Sequence, residues 1–476
     1  MLFRRHGYDP STLDSRLRAD LRISNGDGIA FGGMVGLGET FLPAFVLAAG
    51  LGELTAGLAG SVPLVMGGVL QLVSLSAVRQ LRSHKRWVVV CAACQALAFL
   101  PLMIAAWRGS VTHVTVFLTA ALYWGAGLAT GPAWNTWMGT LVPPTVRASF
   151  FATRTRSQQV AVFCGFLAGG VALQLAAKND RVMVTYAALF AAACVCRLVS
   201  ASLLGCQSEP NPLPANMRRV PWREVLGHLS KQEGGRLLVY LVAVQAAVQM
   251  AGPFFTPFMF EKLRLSYGQF VLMISVAFLS KIIALPLWGR LGTRIGAARL
   301  LWIGGVGIVP LSGGWLISQH IAWLLVLQMV GGVVWAAYEL AFFLLFFESI
   351  AEEERTSLLT IYNLFNTVAW VLGALLGGAV LWSFDATYQG YLVVFVSSSI
   401  ARSLSLLLLW RLRMAPVPAG EMSVRSVAVR PGAAAMDAPV LSSLPDQVED
   451  GFRSDDSDCD DEAHAVAMSG DSGRHD

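Results

Sequence analysis

The chain has 476 residues, of which 55% are hydrophobic and only 14% charged, where an ordinary soluble domain carries about 25% charged residues. So little charge cannot cover the surface of a water-soluble protein. The formal net charge of +5 follows the topology described below, which excludes a nucleic-acid-binding patch as its explanation.

The apolar residues are gathered into blocks of roughly 20, the length of helix that crosses a hydrocarbon core. Inside lipid every backbone amide needs an internal partner, so the blocks are helices or barrel strands, and they are too long and continuous for strands. Met1 to Arg22 is Arg-rich without a short apolar core and cleavage site, so no removable signal peptide is expected. Residues 1–25 read as a cytoplasmic segment, with Asn25 and Asp27 as caps of the first helix.

In chain order the first set of helices falls at 26–50, 54–78, 87–107, 114–138, 157–177 and 183–205, an N-terminal bundle over 26–205. Pro43, Pro63, Pro101, Pro132 and Pro286 lie within blocks and predict kinks, which membrane helices tolerate. Cys91 and Cys94 form a C-x-x-C inside an apolar helix without companion ligands and read as packing residues, as do Cys164, Cys194 and Cys196. Residues 206–235 are polar and broken by Pro210, Pro212, Pro214 and Pro221, a cytoplasmic central loop in which Trp222 to Leu229 can form an interfacial amphipathic helix.

The second set falls at 236–258, 268–289, 299–318, 321–347, 358–383 and 389–410, a C-terminal bundle over 236–413. Glu352 to Glu354 read as a solvated helix start. Residues 414–476 are rich in Ala, Ser, Pro and Asp and carry an acidic run from Asp455 to Glu462, the composition of a disordered cytoplasmic tail. With both termini inside, the inner segments hold 23 Lys and Arg and the outer loops 5, the asymmetry that places both ends in the cytoplasm. A multi-pass protein of a cell membrane, bacterial inner membrane as the expectation, follows.

The two sets repeat each other. Arg147-Ala-Ser-Phe-Phe leads to Gly165-Phe-Leu-Ala-Gly169-Gly170, and at one constant offset Arg355-Thr-Ser-Leu-Leu leads to Gly373-Ala-Leu-Leu-Gly377-Gly378. Near the end of each set stands an Arg in an apolar block, Arg197 and Arg402, read as packing or snorkelling. Internal repeats of this kind mark secondary transporters whose substrate site lies between the halves. The expected fold is an all-α membrane protein with twelve transmembrane helices in two pseudosymmetric six-helix bundles.

Between the eighth and ninth helices the chain reads Gly289-Arg290-Leu-Gly-Thr-Arg294-Ile-Gly296-Ala-Ala-Arg299. This resembles the signature cytoplasmic loop of the major facilitator superfamily, with Gly292 where that family usually has an Asp. The sister loop from Arg79 to Arg86 keeps the positive charge and loses the glycines. The resemblance extends over residues 23–413 in helix count, polarity and central loop, and Gly131-Pro-Ala-Trp134-Asn135-Thr-Trp137 looks like a bacterial branch with no assigned substrate. It implies alternating access, a cavity lined by the first, fourth, seventh and tenth helices, and a gating role for Gly289, Arg290, Arg294, Gly296 and Arg299. Phe166 replaces the Pro of the exporters' fifth-helix motif, which speaks against an exporter.

An ionisable group at mid-membrane costs about 2.5–3.5 kcal/mol on insertion scales, so it faces a cavity or a partner. Glu39 and Glu339 qualify, and since protonation makes a carboxyl neutral, either is a candidate proton carrier. A helix-joining hydrogen bond or ion pair is the competing role, with Lys281 as a possible charge partner. Tyr123, Trp134, Asn135, Gln245, Gln249, Trp335 and Tyr338 are candidate substrate contacts, the two Gln sharing one helix face. Rings with a few amides suit a small organic solute of sugar-like or aromatic character, and Trp137 reads as an interfacial belt residue.

No nucleophile with a base, metal cluster or phosphate-cradling loop stands out, so neither an enzyme nor an ATP-driven pump is expected, and no cofactor. The expected partners are a small-molecule substrate, protons and the bilayer, with no nucleic acid, for a monomeric chain. A transport-fold protein acting as a receptor or assembly partner through its tail is the alternative.

Overall fold

The computed structural model describes residues 15–210, 233–349 and 352–410. The central-loop helix expected at Trp222 to Leu229, the segment before Ser15 and the tail beyond Trp410 lie outside the described residues, as do the side chains of Glu352 to Glu354.

Among the described residues twelve helices are long and apolar enough to cross a membrane: α1 (Ser15–Ala48), α2 (Glu53–Leu70), α3 (His84–Arg108), α4 (His113–Leu141), α5 (Thr153–Ala177), α6 (Val182–Cys206), α7 (Leu237–Lys262), α8 (Tyr267–Gly292), α9 (Ala297–Leu316), α10 (Ile321–Phe342), α11 (Leu364–Ser383) and α12 (Tyr388–Trp410). Large apolar side chains such as Leu118, Val171, Ile283, Leu287, Leu372 and Leu404 are exposed along them. In water such a surface would aggregate, and against lipid it costs nothing.

The packing repeats. In the first half α1 lies against α5 and α6, α4 against α2 and α3, and α3 against α6; in the second half α7 lies against α11 and α12, α10 against α8 and α9, and α9 against α12. Across the halves α5 meets α8 and α11 meets α2, two seams related by the same exchange. This is the pseudosymmetric pair of six-helix bundles expected from the repeated sequence.

Small residues permit the crossings. A methyl group added at Gly36 would sit 2.2 Å from the Val162 carbonyl oxygen of α5, and one added at Gly377 of α11 would sit 2.0 Å from the Met250 carbonyl oxygen of α7. Only hydrogen fits there, so the backbones themselves touch, the usual means of helix association in lipid.

Two short connections differ from the loops expected. The helix of α8 runs on to Ile295, and the next begins at Ala297, leaving Gly296 (φ +85°) as the joint. Gly289, Arg290 and Arg294 are therefore helical, and Arg299 falls in the first turn of α9. The sister connection shrinks likewise, with a helix ending at Leu81, Arg82 in the left-handed region, and Ser83 capping the next helix from Arg86 N–H. Charged residues extend a helix beyond lipid into water at no solvation cost, which block-reading by hydropathy cannot see.

The first helix also begins earlier than expected, at Ser15, so Asn25 and Asp27 lie inside it and are not caps. Trp137 is a second correction: its ring is 1% exposed and its indole N–H donates to the Ser208 carbonyl at 2.8 Å, a buried anchor rather than a belt residue.

Candidate functional site

Both α1 and α7 are interrupted partway. In α1 the regular helix stops at Leu37, Gly38 bridges, Glu39–Phe41 form a single 3-10 turn, and the helix resumes with Pro43 near its start. In α7 the helix stops at Gln249, Gly252–Phe254 form the 3-10 turn, and a π turn, Phe258–Lys262, closes the span. Pro253 and Pro257 stand in the second break as Pro43 stands in the first, supplying no N–H and loosening the ladder locally.

The α1 break delivers Glu39. The carboxylate accepts a hydrogen bond from the Tyr123 hydroxyl of α4. Phe99 and Trp124 pack edge-on against Tyr123 with centroids 5.3 and 5.4 Å away, which fixes its ring. Glu39 lies nine residues from the C-terminal end of α1 at Ala48, or about 13 Å along the helix.

The second acid is deeper. Glu339 of α10 is fully buried, and the Lys281 amine of α8 donates to its Oε1 at 2.5 Å. Its Oε2 has no hydrogen-bond partner among the described residues. The helices can bring these groups together because Gly332, two turns before Glu339, meets the Ala277 carbonyl and the Lys281 backbone. Such a pair, taken out of water, survives only because each charge answers the other.

The remaining predicted residues divide. Trp335 and Tyr338 form an edge-on ring pair 5.5 Å apart on α10, next to Glu339 in sequence. Gln245 and Gln249 of α7 are buried, and their amide nitrogens, like the Trp335 indole N–H, have no hydrogen-bond partner among the described residues. A buried donor left unmade costs about 1–3 kcal/mol, so these groups mark unspent hydrogen-bonding capacity. Trp134 and Asn135 stand apart, eleven and twelve residues along α4 from Tyr123, about 16–18 Å away. The Arg154 guanidinium lies 4.6 Å over the Trp134 ring, and Asn135 is half-buried. Arg290, Arg294 and Arg299 are exposed at the α8–α9 joint, while Gly289 is buried.

One network was missed by sequence reading. Arg154 of α5 donates to Asp27 Oδ2 at 2.7 Å and to the Ser24 carbonyl at 3.1 Å; Ser200 of α6 donates to Asp27 Oδ1 at 2.6 Å and accepts from Arg197 at 2.7 Å. Asp27 thus joins α1, α5 and α6, and Arg197 packs inward, its guanidinium 4.9 Å over Phe31, instead of snorkelling. The signal was available: Arg197 and Arg402 sit in apolar runs, each three residues before a Ser. Arg402 is likewise buried and donates to the Ile308 carbonyl at 2.9 Å.

Twelve spans, two repeated bundles, interrupted helices and paired charges at depth define a polytopic helical protein with the architecture of secondary transporters. The sequence model of the Major Facilitator Superfamily matches residues 237–441, a stretch that takes in the second bundle. No curated protein sequence matches it.

Among solved structures, a bacterial homologue of the human lysosomal transporter Spinster, described as inward-facing and unoccupied, is similar with a TM-score of 0.61 at 14% identity, covering 86% of this chain and all of that one. A point-mutant form of the nucleoside transporter NupG gives 0.60 at 14% identity, covering 84% and 100%. NupG itself gives 0.58 at 14% identity, covering 83% and 98%. At such identity the likeness is one of fold.

Proposed function

We propose that the chain moves a small organic solute across a bacterial inner membrane by alternating access, coupled to protons through Glu39 and Glu339. The observation that carries this reading is the Lys281–Glu339 pair, fully desolvated and with one carboxylate oxygen unmatched. A proton arriving at Glu339 cancels its charge and releases Lys281, so the α8–α10 contact has two electrostatic states. An element with two states that a ligand can bias is what coupling requires.

Glu39 plays the corresponding part in the first half, where protonation changes the carboxyl from acceptor alone to acceptor and donor beside Tyr123. Solute is held by Trp335 and Tyr338 rings and by the unsatisfied amides of Gln245 and Gln249, with Asn135 and Trp134 along its path toward the inner side. Rings offer stacking and amides offer paired hydrogen bonds, the chemistry that suits a solute with an aromatic face and hydroxyls. A nucleoside has both, and one structural relative is named a nucleoside transporter. Arg290, Arg294 and Arg299 contribute to the inner gate, and both termini face the cytoplasm in a chain working as a monomer.

The test is uptake into proteoliposomes after a pH jump, with a panel of nucleosides, sugars and aromatic amino acids. Accumulation of one class, reduced to exchange alone in Glu39→Gln or Glu339→Gln, supports the reading. Full gradient-driven accumulation in both variants overturns the proton-coupling assignment.

A further inference from the structure

The two halves are tied at one end of the molecule, the end of the α1–α2 and α7–α8 connections, by bonds that play no part in the site above. Glu53, the first residue of α2, accepts from the Lys262 amine of α7 at 2.8 Å through Oε1, and from the Tyr391 hydroxyl of α12 at 2.5 Å through Oε2. Lys262 also lies 5.7 Å over the Tyr391 ring. Glu53 comes from the first bundle, Lys262 and Tyr391 from the second. Both charged side chains are shielded, 16% and 21% exposed.

Beneath this clasp the halves interlock. Phe254, in the α7 break, is fully buried, and a methyl group at Gly57 of α2 would lie 2.5 Å from its ring. The α7 backbone between ring and amine, Phe258–Lys262, is wound as a π turn. A π turn closes its bonds over five residues instead of four, which widens the helix, and it occurs frequently at functional positions. On the second seam, α5 against α8, the corresponding ties are uncharged: Gln174 accepts from the Gly268 N–H at 2.7 Å, and the Tyr186 and Tyr267 hydroxyls meet at 3.2 Å.

We infer that Glu53, Lys262 and Tyr391 form the latch of the outer gate, whose release by unwinding of the α7 π turn is the step that opens the pathway to the outside. This rests on the alternating-access reading. An ion pair is suited to a latch because, half-shielded, it holds firmly when closed, while each partner regains water when the gate parts and no charge is stranded. Phe254 seals below it by contact, without polar bonds to break.

The experiment measures distances rather than transport, so that its failure and failure of the solute reading remain distinct. Spin labels are introduced through genetically encoded non-natural residues at exposed positions 48 and 383, at the ends of α1 and α11 beside the latch, in the full chain in nanodiscs. We expect Glu53→Gln and Lys262→Met each to raise the long-distance, outward-open fraction on the order of tenfold. Tyr391→Phe raises it less, and the charge exchange Glu53→Lys with Lys262→Glu returns it toward the parent value. Unchanged distributions in both single variants, or an exchange no more closed than they are, overturn the latch. Tyr391→Phe, which removes one oxygen, keeps the test decisive should a charge variant fail to fold: no lengthening there counts against the inference.

Discussion

Lys281 and Glu339 meet at 2.5 Å between α8 and α10, each almost wholly out of contact with solvent. Removing one partner leaves the other charge buried alone, at a cost of about 3–5 kcal/mol, whereas removing both together is often close to neutral. Lys281→Met and Glu339→Gln are therefore expected each to destabilise the protein by that order, and the double variant to recover most of the loss. Unfolding of purified protein in mixed micelles of rising SDS content reads the difference; equal losses for the singles and the double would mean that the pair is not coupled.

Asp27 is expected to matter at least as much. It answers Arg154 directly and Arg197 through Ser200, so Asp27→Asn leaves two cations with no anion in that network. A loss on the order of 3 kcal/mol follows from stranded buried charge, seen as a lowered midpoint in the same SDS titration. Arg154→Lys is expected to lose part of this, because Lys keeps the charge but not the planar contact with Trp134. If Asp27→Asn were silent, the network would be decoration.

The α1–α5 and α7–α11 crossings predict a steric result. Gly36→Leu and Gly377→Leu are expected to abolish stable protein, and the Ala variants to cost about 1–3 kcal/mol as the helices part. Gly205, with nothing within 4 Å of an added methyl group, serves as the control, its Ala variant being near neutral. Yield and thermal midpoint in detergent measure all three.

Orientation is testable without a substrate. Lys178→Cys, at the α5–α6 connection, is expected to react with an impermeant maleimide in intact cells, over the background of the parent. Arg294→Cys, at the α8–α9 joint, is expected to react only after permeabilisation. The reverse pattern would invert the topology.

Much of this was legible in the sequence because lipid is a harsh solvent. It forces apolar length, forbids free backbone and taxes every charge, so twelve spans, the repeat and the isolated acids stand out. Lys281 and Glu339 were both visible as charges in apolar blocks, and their meeting follows from there being few other partners. Asp27 and Arg154 were not, because each lies near the apparent end of a block, where a charge is ordinary, and their contact bridges 127 positions of sequence. Glu53, Lys262 and Tyr391 escaped for the same reason: they stand at helix ends, and only the packing of two halves tells which ends coincide. The break in α1 was signalled by Pro43, but that it would present Glu39 to Tyr123 required the fold.

The exit from α6 is held down. Asp20 of α1 accepts from the backbone N–H and hydroxyl of Ser208 at 2.9 and 2.5 Å, and Glu209 accepts from the Ser83 hydroxyl and the Lys85 N–H at the start of α3. The first bundle therefore keeps its own stitching up to Glu209, independent of whatever follows. A nick placed past Pro210 cuts none of these bonds, so two co-expressed fragments should reassemble, each carrying a finished half.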